Sequence, residues 1–483
     1  MKKNGINIGI FIASEKKGFL VSLGKILNKD NIVWFIAKDK NVKKVIENLA
    51  PELVRNTITL NEYIPDVNDS DIIKEAIMRE KKYGEYFSML TSYDRGLGQG
   101  YLLNADRHPY IKRSKWKHER KVKALLKQYL IYENIFRKCK FNMILAEIIP
   151  IVLDTIASYH NAKRLSLCIS RYENKYMWVE NRFEEKKMYG ELINKYLKHK
   201  DVEVDDISYK QYEQYLFTAN MLDYSYFNSF KKAVKEFIRQ TYIHLKRIYK
   251  KDGYLFCGWI PSFFRSSYNF KYFLKNGYKP NDLSDYKIVF FPLHQEPEFA
   301  LLNLSPEFNN SMEIVTWVSK SIPADCKLVI KENPWSFGIR SRKYYDNLSK
   351  MTNVILAHPE VSSLDWIKKS KLVVAITGTA GFEAIYFNKP VLSYGKHQVI
   401  NLLPSVKYSN NYFTTREGLR DLLDIDPEDE IFIKSKYVLH NSLRDASFSI
   451  PGYEETYKDS DLHLDMAKIA VDRLYLEYPD VFY

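Results

Sequence analysis

The stretch LVVAITGTAGFEAIYFNKPVLSY, residues 372–394, decides the fold. Leu372 to Thr377 is an apolar run, Thr377-Gly378-Thr379 is a turn of small residues, the next stretch is helical, and Val391 to Tyr394 is apolar again after Lys389-Pro390. Two such runs joined by a helix read as parallel strands with a crossover, because a parallel pair cannot be closed by a hairpin. Working outward, Ile288 to Leu293, Lys327 to Lys331 and Val354 to Ala357 repeat the pattern, with helical stretches between them. Ser362 and Asp365 form a variant helix N-terminal box before Trp366-Ile367. These residues predict a five-stranded doubly wound domain over 285–424.

The same alternation opens the chain. Ile6 to Ala13 is strand-like, Phe19 to Leu27 helical and Ile32 to Ala37 strand-like; Met143 to Glu147, Ile151 to His160 and Arg164 to Ser170 repeat it. Residues 1 to about 175 therefore read as one open parallel sheet. Strand signals vanish over 183–250, where Lys and Tyr dominate at helical spacing, so a helical insertion is expected there. The segment 263–285, rich in Asn, Ser, Tyr and Lys, reads as a linker. The expected organisation is a Rossmann-like domain over 1–270 carrying the insertion, a second over 285–424, and a helix in 455–483 that packs back on the first. That last helix is marked by Leu462, Leu464, Met466, Ile469, Ala470 and Leu474.

Composition narrows the class. The chain has 483 residues, 46% hydrophobic and 27% charged, which excludes wholesale disorder and a coiled-coil rod. Its net charge of +14 favours anionic partners. Tyrosine is abundant, 37 residues against 27 Phe and 7 Trp, and suits half-wet grooves that hold sugars or bases. Four dispersed cysteines fit neither a zinc nor a redox spacing. With no apolar stretch near the roughly 20 residues that cross a bilayer, and no cleavable signal at the start, a cytoplasmic protein is expected, associated with the inner face of the membrane.

In open parallel sheets ligands bind beyond the carboxyl ends of the strands, so the polar residues there are the candidates. Thr377, Gly378 and Thr379 offer backbone N–H groups and hydroxyls to a phosphate, and Glu383 lies one turn on, in reach of a ribose diol. The alternative is a tight turn that only caps a helix. Lys331 at the end of an apolar strand suits a phosphate, or else pairs with Glu332 at the surface; Asn333 follows. His294, Glu296 and Glu298 on a proline-stiffened loop suit acid–base work or sugar hydroxyls, or are solvated loop charge. In the first half Glu15 stands at a strand end and Asp94-Arg95 in a glycine-containing loop, while Arg113, Lys115, Trp116 and Lys117 belong to a basic run fit for an anionic acceptor or lipid surface, or for a solvated helix face. No metal cluster, P-loop or nucleophilic triad is visible, so no metal is expected.

Phe291-Pro292-Leu293-His294-Gln295-Glu296-Pro297-Glu298, Lys331-Glu332-Asn333-Pro334, Thr377 to Ala384 and Lys389-Pro390, with Asp94-Arg95-Gly96-Leu97-Gly98 earlier, together resemble the bacterial capsule and surface polysaccharide biosynthesis proteins. The resemblance is best over about 285–400 and includes transferases of Kdo from its CMP-activated form. It implies a GT-B fold, with two Rossmann-like domains facing across a cleft. The implied activity is transfer of a sugar from a nucleotide-activated donor, such as a CMP-linked acidic sugar, to a polysaccharide or glycolipid acceptor. Where the family has His-Pro after the second strand, this chain has Asn333-Pro334. The expected roles are then catalysis by Glu15, Asp94 and His294; donor binding by Glu296, Lys331, Asn333, Thr377, Gly378, Thr379 and Glu383; and acceptor binding by Arg95, Arg113, Lys115, Trp116 and Lys117. The expected partners are the nucleotide sugar, as substrate with no cofactor, an anionic glycan or glycolipid, and an anionic membrane, with no nucleic acid. A nucleotide-sugar epimerase of the same fold, or a non-catalytic assembly scaffold, are the competing readings.

Overall fold

The structure is a computed structural model that describes residues 5–13, 15–60, 71–94, 97–98, 116–199, 223–249, 260–296, 298–456 and 459–482. The chain forms two compact units, one of Met1–Thr91, Trp116–Leu192 and Asn441–Tyr483, the other of Ser92–Lys115 and Ile193–His440. Each is built on a six-stranded sheet.

In the first unit β1 (Asn7–Ile12), β2 (Ile32–Ala37), β3 (Thr57–Thr59), β4 (Met143–Ala146), β5 (Lys163–Ile169) and β6 (Tyr176–Glu180) lie in the order β3-β2-β1-β4-β5-β6. The central strands are apolar on both faces because helices cover both, and Ile8, Ile10, Val33, Phe35, Met143 and Leu145 are fully buried. All pairings are parallel except that of β5 with β6. That antiparallel edge departs from the expected all-parallel sheet. Its turn takes left-handed backbone at Arg171, Glu173 and Asn174, none of them glycine, so no hairpin signature marks it in the sequence.

The second unit holds β7 (Lys287–Pro292), β8 (Cys326–Lys331), β9 (Val354–Leu356), β10 (Leu372–Ala375), β11 (Val391–Ser393) and β12 (Val406–Tyr408), in the order β12-β11-β10-β7-β8-β9 and parallel throughout. The sheet thus has six strands rather than the expected five. β12 was hidden because three residues, one of them the exposed Lys407, form too short and polar a run. Both sheets have the doubly wound order of a Rossmann fold, so the fold class is two Rossmann-like α/β units.

Several boundaries differ from the sequence reading: the second unit also takes Ser92–Lys115, which includes Asp94, and runs to His440 rather than 424. The first domain does not run to 270, because residues 193–276 belong to the second unit. The supposed linker 263–285 is largely the helix Ile260–Asn276. Its Phe273 ring packs edge-on against Phe337 and Tyr345, and its buried Asn269 donates to the carbonyls of Phe337 and Arg340 at 2.7 and 3.2 Å. Small polar residues on its packed face look loop-like in sequence, yet Ser267 and Ser229 bond each other at 2.7 Å.

The chain end returns to the first unit. The helix Leu464–Glu477 buries Ala467, Ala470, Val471 and Leu474 in the same core as the helix Lys17–Leu27. Gly18 permits the approach: a Cβ there would lie 1.7 Å from the Asp461 carbonyl oxygen. The Gly18 N–H donates to the Asp459 carbonyl at 3.2 Å and the His463 N–H to Ser22 Oγ at 2.8 Å. At the other end Lys186 Nζ meets Glu477 Oε2 at 2.8 Å with both side chains almost fully buried, and Arg473 adds a second bond to Glu477 at 2.6 Å. Glu477→Leu leaves Lys186 charged, buried and without its carboxylate, and should lower stability by about 3–5 kcal/mol in urea unfolding. Lys186→Met with Glu477→Leu should recover most of that loss; a double variant no better than the single one counts against the pairing.

Candidate functional site

The strand order reverses between β7 and β10 in the second unit and between β1 and β4 in the first, and such switch points leave a crevice beyond the carboxyl ends of the strands. At the second-unit switch point β7 runs out into His294 and β10 into Thr377. The His294 ring spans the gap: Nδ1 lies 3.2 Å from Glu298 Oε2, and Nε2 accepts from the Thr377 N–H at 3.4 Å. With Nδ1 as donor to Glu298, Nε2 faces the turn Thr377-Gly378-Thr379. A Cβ on Gly378 would stand 3.3 Å from His294 Cε1, so glycine keeps this approach open. Thr377 Oγ1 is buried with no hydrogen-bond partner among the described residues. Thr379 stands exposed at the N-cap of the helix Ala380–Tyr386 and makes no side-chain cap bond, unlike a threonine whose task is capping. Glu383 lies half-buried in the first turn of that helix.

Beneath this crevice lies an ion cluster that sequence reasoning missed. Arg340 is fully buried; its Nη1 donates to Glu332 Oε1 at 2.6 Å and its Nη2 to the His294 carbonyl at 2.6 Å. Glu296 Oε2 sits 3.2 Å from Nη2, close enough for charge pairing but without a directed hydrogen bond. Glu332 also accepts from Tyr345 Oη at 2.7 Å and from the Asn333 N–H at 2.7 Å. Burial works against the charge on Arg340, and the two carboxylates outweigh it, keeping its pKa above the ordinary arginine value.

Three expected donor-binding residues therefore sit differently. Glu296, 1% exposed, is held in the cluster and does not line the crevice. Asn333 accepts from the Trp335 N–H at 3.0 Å and caps the short turn Pro334–Ser336. Lys331 does not pair with Glu332 at the surface: it is buried, with Nζ 3.4 Å from the Pro359 carbonyl, and burial lowers its pKa to about 8.

In the first unit, Glu15 follows β1 and Glu147 follows β4, so the switch point is flanked by two carboxylates. Burial and then the charge of Glu15 push the Glu147 pKa up, and Lys16 opposes the rise. Lys16 takes left-handed backbone at φ 48°, donates to the Tyr453 carbonyl at 2.8 Å and lies over the Tyr453 ring at 3.7 Å. Glu454 adds to the same field and accepts from Tyr176 Oη. Lys16 was not among the expected site residues. Asp94 is engaged locally, its Oδ1 accepting from the Leu97 N–H at 2.7 Å, as turn-forming aspartates do. Arg95 of that loop, and Arg113 and Lys115 of the basic run, lie outside the described residues. Trp116 stacks on the Arg120 guanidinium at 4.1 Å, and Lys117 is exposed at the start of the helix His118–Cys139.

The strands β7 to β11 and every crevice residue of the second unit fall within one stretch that has known relatives. Residues 280–398 match the family model of the capsule polysaccharide biosynthesis proteins. The match covers the part of the chain in which the sequence resemblance is best. No curated protein matches. Among similar solved structures are the S. aureus MnaA–UDP complex, at 13% identity over 100% of this chain and 98% of that one, TM-score 0.28, and the Methanocaldococcus jannaschii UDP-GlcNAc 2-epimerase, at 10% identity over 97% and 99%, TM-score 0.24. The glycosyltransferase of kitacinnamycin is 11% identical over 98% of this chain and 100% of its own, TM-score 0.28. The fold assignment rests on the two strand orders.

The buried lysine yields a prediction with a definite sign. Between about pH 8 and an ordinary lysine's 10.5 the unfolded chain holds a proton on residue 331 that the folded chain has released, so stability rises with pH across that window. Lys331→Met should unfold at higher urea than the parent at pH 7 and lose that advantage toward pH 10.5. An unchanged difference at both pH values would show that Lys331 is not buried as a cation.

Proposed function

We propose that the protein is a glycosyltransferase of surface or capsular polysaccharide synthesis, moving a sugar from a nucleotide-activated donor onto a polysaccharide or glycolipid acceptor. The observation that carries this reading is that the family match at 280–398 encloses a switch-point crevice in which His294, Thr377, Gly378 and Thr379 converge. The donor phosphates take the backbone N–H groups of the turn and the two threonine hydroxyls. His294, its ring fixed by Glu298, accepts the Thr377 N–H and so holds the turn open toward the phosphates. As the glycosidic bond to phosphate breaks, negative charge grows on the departing oxygen, and donors already in place stabilise it without reorganising. In this reading the acceptor hydroxyl loses its proton to the first-unit carboxylates, Glu15 with Glu147 beside it.

Two experiments test the proposal. Calorimetry with UDP, CMP and their sugar conjugates should find one nucleotide class that binds, and His294→Ala should weaken it roughly tenfold to a hundredfold without altering thermal unfolding. Absence of nucleotide binding to the parent overturns the reading, and turnover of the donor with no acceptor present would make the protein an epimerase. The proposed charge stabilisation needs no metal, so transfer should persist in EDTA; loss restored by magnesium would contradict it. On the acceptor side, Glu15→Gln should lower kcat with donor affinity unchanged. Because the Glu147 pKa is raised, activity should fall at a higher pH than an ordinary carboxylate would dictate as solutions are acidified, and Glu147→Gln should move that limb down.

A further inference from the structure

The helix Tyr226–Tyr249 carries three distinct faces. Ser229 and Ala233 are buried; Ser229 Oγ donates to the Phe263 carbonyl at 2.9 Å and Ser267 Oγ to the Ser225 carbonyl at 3.4 Å, so this face lies antiparallel on the helix Ile260–Asn276. A second face is apolar and exposed. Phe227, Phe230, Phe237, Ile238, Tyr242 and Leu245 are each more than half exposed. All but Tyr242 share, with Val234, an arc of about 100° on a helix of 3.6 residues per turn, and the stripe runs about 27 Å along the axis. The third face is basic: Lys231, Lys232, Lys235 and Arg239 are all exposed, Lys231 and Lys235 next to the apolar arc and Lys232 and Arg239 further round. Glu236 stands behind the basic face and is held by Arg239 at 2.6 and 2.8 Å. Cations meet the stripe at both margins, Lys231 Nζ over the Phe227 ring at 4.4 Å and Lys271 Nζ over the Tyr226 ring at 4.2 Å.

An aromatic stripe bordered by lysines is a poor protein interface, whose centre is depleted of lysine, and a good match to a bilayer surface, where rings enter the acyl boundary and ammonium groups meet phosphate. No described helix is long and apolar enough to cross a membrane, so this one would lie in the interface. We propose that the helix Tyr226–Tyr249 docks the protein on an anionic bilayer. Phe227, Phe230, Phe237 and Ile238 insert below the headgroups, while Lys231 and Lys235 at the margin of the stripe face anionic lipid. The net charge of +14 attracts the whole chain to the same surface. This places membrane contact on a helix other than the basic run before residue 118, and it does not depend on the transfer reaction.

Co-sedimentation of the full chain with vesicles of phosphatidylcholine, alone or mixed with phosphatidylglycerol, tests the proposal. Binding should require the anionic lipid and weaken as salt is raised. Phe230→Ser with Phe237→Ser, and separately Lys231→Glu with Lys235→Glu, should each reduce partitioning at least tenfold. Both pairs are exposed, so thermal unfolding and the elution volume in lipid-free buffer should be unchanged. Equal partitioning of parent and both variants overturns the proposal. So does a dimer of the parent in lipid-free buffer that the phenylalanine pair dissolves, since the stripe would then join two copies of the chain.

Discussion

A single guanidinium organises the second unit. Arg340 carries its charge with no exposure to water, which costs several kcal/mol and is tolerable only where counter-charges and hydrogen bonds surround it. Glu332 comes to it from the end of β8, Glu296 and the His294 carbonyl from the loop after β7, and Asn269 binds the Arg340 carbonyl from the helix Ile260–Asn276. Remove that fork and two carboxylates remain buried without a cation. Lysine is no substitute, because one ammonium cannot hold two carboxylates and a carbonyl in a fixed planar arrangement. The position of the His294 ring over the Thr377 turn thus depends on a residue that reaches the crevice only through the His294 carbonyl.

The two switch points share a strand order and differ in chemistry. That of the second unit presents an imidazole, hydroxyls and turn backbone, a donor-rich lining suited to anions. The first has Glu15 and Glu147 close enough to influence each other, with Lys16 beside them bound to the Tyr453 carbonyl. Burial and the neighbouring charge of Glu15 make Glu147 hold its proton more tightly than an exposed carboxylate does. Strand order explains why polar groups gather at these two places, and side-chain chemistry alone makes the two differ.

Much of the fold was legible because buried parallel strands leave a strong local record. The runs that became β1, β2, β4, β7, β8, β10 and β11 are apolar on both faces and bounded by turns. The elements that escaped notice carry weak local signals: β3 and β12 have three residues each, β6 is entered through a turn of non-glycine residues in left-handed backbone, and the helix Ile260–Asn276 packs through serine and asparagine. Within the candidate site, the placement of His294 and of the Thr377 turn at strand ends followed from strand positions.

The sequence by itself determined the two alternating α/β halves and the turn at Thr377-Gly378-Thr379, because strand, turn and helix preferences act over a few neighbouring residues. Tertiary structure alone decided the fate of the charges. Glu296, Lys331 and Glu332 all stand at strand ends and look alike as ligand-binding candidates, yet Glu296 and Glu332 turn inward to Arg340 and Lys331 to the Pro359 carbonyl. The partner of a buried charge comes from a different segment of chain, and its distance through space is set by how helices pack on the sheet, which no local pattern encodes.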